Sequence, residues 1–180
     1  MFFFAGLLVS CAGGAIRHED GEGPLQALAG ADEQLTLAIG GRPAGFAGTF
    51  GGVSLCLDEP GSATLTSVRP RTVTDGVAVL GFYVRVNDWA AGEEPIGTAD
   101  GWPPDLADLE AIEGFTVTRQ CGDTEPPTTT DLGFGLQKLD SRGGQIQDLE
   151  IAYTFAGVDY LLRTHVTAVI CGEDTTEDCQ

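Results

Sequence analysis

Five cysteines, two histidines, two tryptophans and 27 carboxylates are the side chains of this 180-residue sequence that could carry chemistry. The cysteines, Cys11, Cys56, Cys121, Cys171 and Cys179, form no C-x-x-C pair, and neither His18 nor His165 stands beside one of them. A structural zinc site needs at least one close ligand pair, so no metal is expected on the thiolates. Gly52-Val53-Ser54-Leu55-Cys56 begins like a nucleophile elbow but ends in cysteine where close backbone approach wants glycine, and Ser54 reads as a strand serine. His165 alternates with Leu161 and Arg163 and reads as a sheet-face residue. Asp100, Asp105 and Asp108 offer hard oxygen ligands to Ca²⁺, yet their spacing departs from the D-x-[DN]-x-[DN]-G loop and fits turn formers equally well. No glycine-rich run has the P-loop or dinucleotide form, so no cofactor is expected and no enzyme activity is assigned. The remaining candidates are Trp89 and Trp102. They lie in a long stretch, residues 87–108, rich in Gly, Pro and Asp, which is a candidate partner-binding loop. Exposed indoles there would suit a protein or a sugar ring, and buried ones would plug an open end of the domain.

The first ten residues, MFFFAGLLVS, are apolar and uncharged but shorter than the roughly 20 residues that span a bilayer. They end in Leu8-Val9-Ser10-Cys11, an aliphatic residue three positions before a cysteine with a small residue at the cut. This resembles the lipobox of bacterial lipoproteins. The resemblance implies cleavage before Cys11, lipid on its sulfur, and an extracytoplasmic chain anchored to the bacterial membrane or envelope. Residues 11–33, with many Gly, Ala and acidic positions, then read as a lipidated flexible spacer. With Cys11 so used, an even set of four cysteines remains, which in an exported domain suggests two disulfides. Of three connectivities, Cys56 with Cys171 and Cys121 with Cys179 is favoured, because it would tie an opening strand to a closing one.

The formal charge of −18 sets one lysine and eight arginines against the carboxylates. Phosphate backbones and anionic headgroups would be repelled, which excludes nucleic acid and a polybasic membrane contact. Membrane attachment therefore rests on lipid at Cys11.

The elements that must position these residues are short strands. Residues 34–39 alternate Leu35, Leu37 and Ile39 against polar or small partners, and GGRPAGFAGTFGG breaks that pattern. Strands follow over 53–57, 63–68 and 77–86, the last expected to be central, with Ala78, Leu80, Phe82, Val84 and Val86 on one face. A helical turn is expected over 105–112 and a strand over 115–121. Leu132, Phe134 and Leu136 alternate with Gly133, Gly135 and Gln137, which suggests close sheet packing or an edge. Leu149, Ile151, Tyr153 and Phe155 share a face, and Ala156-Gly157-Val158-Asp159 reads as a hairpin turn into 160–170. Seven or eight strands with no long amphipathic helix predict an all-β, antiparallel β-sandwich, broadly similar to immunoglobulin-like domains, over residues 34–180. The expected role is a binding or interaction module of the cell envelope with a protein or glycan partner. A secreted acidic hydrolase with unrecognised carboxylates and a purely structural envelope component are the alternatives.

Overall fold

The computed structural model describes residues 23–28, 35–88, 91–93, 97–123, 128–173 and 179. Cys11, most of the expected spacer and Trp89 lie outside them. Ten strands follow one another: β1 (Leu25–Ala27), β2 (Leu35–Ile39), β3 (Ala47–Leu57), β4 (Ala63–Val73), β5 (Val77–Asp88), β6 (Thr98–Asp100), β7 (Thr116–Val117), β8 (Thr128–Lys138), β9 (Gly144–Phe155) and β10 (Val158–Ile170). Seven of these, β2 to β5 and β8 to β10, are five residues or longer, and the other three are short edge pieces.

The strands form two sheets, a β-sandwich. In the first sheet the order is β1-β3-β8-β5, with β6 also paired to β3; in the second it is β2-β10-β9-β4-β7. All pairings are antiparallel except β2 beside β10, which run parallel over Leu35–Ile39 and Val166–Ile170. Period-two alternation turns one face of each strand inward, because successive side chains point to opposite faces. Phe50, Leu132, Phe134 and Leu136 from the first sheet thus meet Leu65, Ile146, Leu149, Ile151 and Tyr153 from the second, all fully buried. Phe134 is stacked on Phe50 at 5.7 Å between ring centroids and tilted against Phe82 at 5.9 Å. The Tyr153 hydroxyl accepts from the Leu25 backbone N–H at 3.3 Å, so this inward tyrosine has its polar tip satisfied.

The β9–β10 hairpin turns on Ala156 and Gly157, with φ of 50° and 78°. Two central residues at positive φ form the turn whose twist matches the flanking strands. The turn is thus tighter than the four residues expected, and β10 already begins at Val158.

Several expectations are corrected. Residues 23–28 lie within the span expected as spacer, yet β1 pairs with the end of β3 and Leu25 is fully buried, because its apolar side chain completes the core. The expected break before residue 53 is absorbed: β3 runs through Gly51 and Gly52 with a register shift between Phe50 and Val53, and Gly52 takes φ of 93°. A glycine in that conformation lets a strand bulge instead of ending. β5 is not central but lies at the sheet's edge. A second register shift between Val79 and Gly81 breaks its alternation and leaves Leu80 exposed, while Val86, on the same face as the buried Val84, is exposed near the strand's end. The helical turn over 105–112 is absent, and the strand over 115–121 shrinks to Thr116–Val117.

The disulfides join Cys56 to Cys121 and Cys171 to Cys179, so the favoured pairing is wrong although all four cysteines are used. The reason is topological. Cys56 and Cys171 end strands of different sheets, while residues 119–121 run beside the end of β3, where the Leu57 N–H donates to the Arg119 carbonyl and the Cys121 N–H to the Leu57 carbonyl.

Lys138, the only lysine, closes the inward row of β8 and is 4% exposed. Its ammonium donates to the backbone carbonyls of Cys171 at 2.7 Å and Arg42 at 2.9 Å, bracing β8 against the ends of two other segments.

Candidate functional site

The same alternation that buries Leu132, Phe134 and Leu136 turns Asp131, Gly133 and Gly135 to the outer face of the first sheet. On β5 it turns Tyr83, Arg85 and Asn87 outward, and on β3 Ser54. Register brings them together: Asp131 lies opposite Ser54 on one side and Arg85 on the other, and Gly133 lies opposite Tyr83.

The glycines form a floor for aromatic rings. A Cβ on Gly133 would lie 2.2 Å from Tyr83 Cζ, and one on Gly135 would lie 2.2 Å from Trp102 Cδ2, so the rings rest directly on the backbone of β8. Trp102, half-buried, sits beside Tyr83 with centroids 5.8 Å apart at 37°. It is delivered there by the β3–β6 pairing, by the Gly101 N–H donating to the Ala47 carbonyl at 2.8 Å, and by the Thr49 hydroxyl donating to the Gly101 carbonyl at 2.6 Å.

Beside this aromatic pair is a small cavity of about 10 Å³ bordered by Gly51, Gly52, Tyr83, Arg85, Asn87 and Asp131. Asp131 is 5% exposed; it accepts from the Ser54 hydroxyl at 2.6 Å and from the Asn87 amide. Burial pushes its carboxyl above the ordinary range, outweighing the Ser54 and Thr129 hydroxyls, the Arg85 charge and the Asn87 amide that favour the anion. Burial, and next the Asp131 charge, push the Tyr83 phenol up to about 12. Arg85 reaches Glu93 at 3.0 Å. Of four buried side-chain atoms without a hydrogen-bond partner among the described residues, two belong to residues of this cavity, Arg85 Nε and Asn87 Oδ1. Arrangements of this kind cluster at binding sites, because structural polar groups are otherwise paired. A second, larger cavity of about 230 Å³ adjoins the Cys56–Cys121 disulfide and is bordered by Ser54.

The opposite outer face, on the second sheet, carries two cross-strand rows. In one, Glu150 on β9 is held by Arg69 of β4 at 2.7 Å and Arg163 of β10 at 3.2 Å. In the other, Asp148 lies 3.6 Å from Arg71 and 3.1 Å from His165. His165 is therefore an exposed sheet-face residue, on the other sheet from Ser54 and Asp131.

Of the residues singled out by sequence, Trp102 falls within the site, and Trp89 lies outside the described residues. Asp100 is ion-paired with Arg42 at 2.7 Å, while Asp105 and Asp108 are exposed. Among the described residues no three Asp, Glu, His or Cys side chains gather as a metal-ligand group. Sequence reasoning missed Tyr83, Arg85, Asn87 and Asp131, and set Ser54 aside. The available signal was the Tyr-x-Arg-x-Asn alternation of residues 83–87 facing the alternating glycines of 131–135.

Compared with known proteins, the chain matches no family model and no curated protein. Two solved structures are similar at low level. The VesB protease of Vibrio cholerae is 12% identical, with 81% of this chain and 32% of the protease covered and a TM-score of 0.35. The CooA pilin subunit of enterotoxigenic Escherichia coli is 9% identical, with 83% of this chain and 97% of the pilin covered and a TM-score of 0.36. The chain thus spans about a third of the protease it resembles. At these TM-scores neither likeness carries weight for function, and the chain is described by its own architecture, a disulfide-bonded, two-sheet β-sandwich.

Proposed function

We propose that this protein is an extracytoplasmic binding module, anchored to a bacterial envelope by lipid on Cys11, with its ligand face on the outer surface of the first sheet. One observation carries the reading: an aromatic pair, Tyr83 and Trp102, lies beside a cavity edged by buried polar groups with unused hydrogen-bonding capacity. Folding selects against such orphaned groups, whereas ligand sites combine an apolar platform with a few polar anchors. The two disulfides support export, since they persist in oxidising compartments. The lipobox resemblance supports the anchor.

The test has two arms. Intact mass of protein from its native membrane fraction should show an acylated Cys11 as first residue, and an unmodified thiol there would overturn the anchor. Separately, Trp102→Ala should abolish capture of native envelope material while both disulfides and cooperative unfolding persist; unchanged capture would move the site away from this face.

A further inference from the structure

The chemistry of the two orphaned atoms specifies what the cavity accepts. Arg85 Nε–H can only donate, and Asn87 Oδ1 can only accept. Both residues border one cavity whose free interior admits about one water-sized group. A carboxylate or phosphate would satisfy Arg85 but offer nothing to Asn87, and it would lie against Asp131. An ammonium would satisfy Asn87 but leave Arg85 without an acceptor. A hydroxyl both accepts and donates. The platform next to it is aromatic, with Trp102 half-buried and the buried Tyr83 beside it, which suits the apolar C–H face of a ring that carries such hydroxyls. The surroundings disfavour charged ligands further, because Glu93 already answers the Arg85 charge.

We infer that the site recognises a neutral pyranose sugar, one hydroxyl entering the cavity between Arg85 Nε and Asn87 Oδ1 while the ring lies on the Trp102 indole, which Tyr83 supports from the side. This rests on the binding-face reading above. Selectivity then comes from the donor–acceptor order of the two atoms and affinity from the aromatic platform.

The experiment is titration calorimetry of the disulfide-intact protein with neutral oligosaccharides built on glucose, galactose, mannose and N-acetylglucosamine, paired with capture of envelope material that has been protease-treated or periodate-oxidised. The expected result is saturable binding to at least one oligosaccharide, capture that survives protease, and capture lost after periodate cleaves vicinal diols. Arg85→Lys keeps the charge facing Glu93 but removes Nε–H, and it should weaken binding about tenfold; Trp102→Ala should weaken it at least as much. Silence across the sugar panel overturns the inference. So does capture that withstands periodate, and if that capture is still lost in Trp102→Ala, the binding face stands while the sugar class falls. Binding of a sugar equally well by wild type and both variants overturns the placement. Retained disulfides and cooperative unfolding of Arg85→Lys keep the comparison decisive where the Trp102 variant misfolds.

Discussion

Asp131 and Glu150 are both nearly buried carboxylates, one on each sheet, and their surroundings drive them in opposite directions. Burial dominates at Asp131, so its folded pKa is raised; stability from this group is fully present below the unfolded value and is lost as pH rises through the folded one. Asp131→Asn should remove that loss. The amide still accepts from Ser54 and, once the Asn87 amide turns over, donates to Asn87 Oδ1, so the variant is expected to gain on wild type as pH rises from the acid range to neutrality, followed by denaturant midpoints. At Glu150 burial also acts upward, but hydrogen bonds and charges from Arg69 and Arg163 outweigh it and hold the carboxyl below the ordinary range. Its contribution is present above the unfolded pKa and is lost as pH falls through the folded one. Glu150→Gln should therefore cost about 1–3 kcal/mol at neutral pH, with the gap to wild type closing on acidification. Neither behaviour is legible in sequence, where Asp131 follows three threonines and Glu150 sits in an alternating strand; burial sets the direction at Asp131, and guanidinium groups on neighbouring strands set it at Glu150, Arg69 lying 81 residues away.

At the scale of strands, alternation was readable and its interruptions were not. The Ala156-Gly157 turn and the inward row of Leu149, Ile151 and Tyr153 follow from local chemistry alone. The shifts at Gly51–Gly52 and Leu80–Gly81 do not, since a bulge depends on what the neighbouring strand presents. The small residues of β8 were read as close sheet packing or an edge, but β8 lies between β3 and β5 and its glycines receive rings on the sheet's outer face. That explains why the site was missed: Tyr83, Arg85 and Asn87 look like the solvent side of an ordinary strand until Trp102 arrives from elsewhere. Gly135→Ala tests this directly. The added methyl would strike the Trp102 indole, costing about 1–3 kcal/mol and shifting tryptophan emission to the red as the ring is displaced. The open edge of β4 beyond Leu65 illustrates a different use of sequence. Arg69-Pro70-Arg71 places a residue without an N–H between two charged side chains, a combination that discourages another strand from pairing there.

For the molecule as a whole, the two-sheet architecture was readable from strand count and turn chemistry, whereas the connectivity of its crosslinks was not, because pairing depends on which chain ends the topology brings together. The disulfides should differ in effect. Cys56 and Cys121 are 65 residues apart and Cys171 and Cys179 only 8, so loop-closure entropy assigns about 4 kcal/mol to the first and about 2.5 kcal/mol to the second. Double serine replacement of Cys56 and Cys121 is thus expected to lower the unfolding free energy by more than the same replacement of Cys171 and Cys179, as read from equilibrium denaturation. The first bridge also pins residues 119–121 along β3, next to Ser54, so its loss should weaken whatever binds the outer face.

Lys138 gives the domain a chemical blind spot. Its lone lysine amine is sealed under two backbone carbonyls, so a reagent that acylates lysines finds no target in the native domain and a target only when the domain opens. The rate at which Lys138 becomes acylated in trace denaturant therefore counts opening events one molecule at a time, and peptide mass spectrometry reads that clock from a single residue.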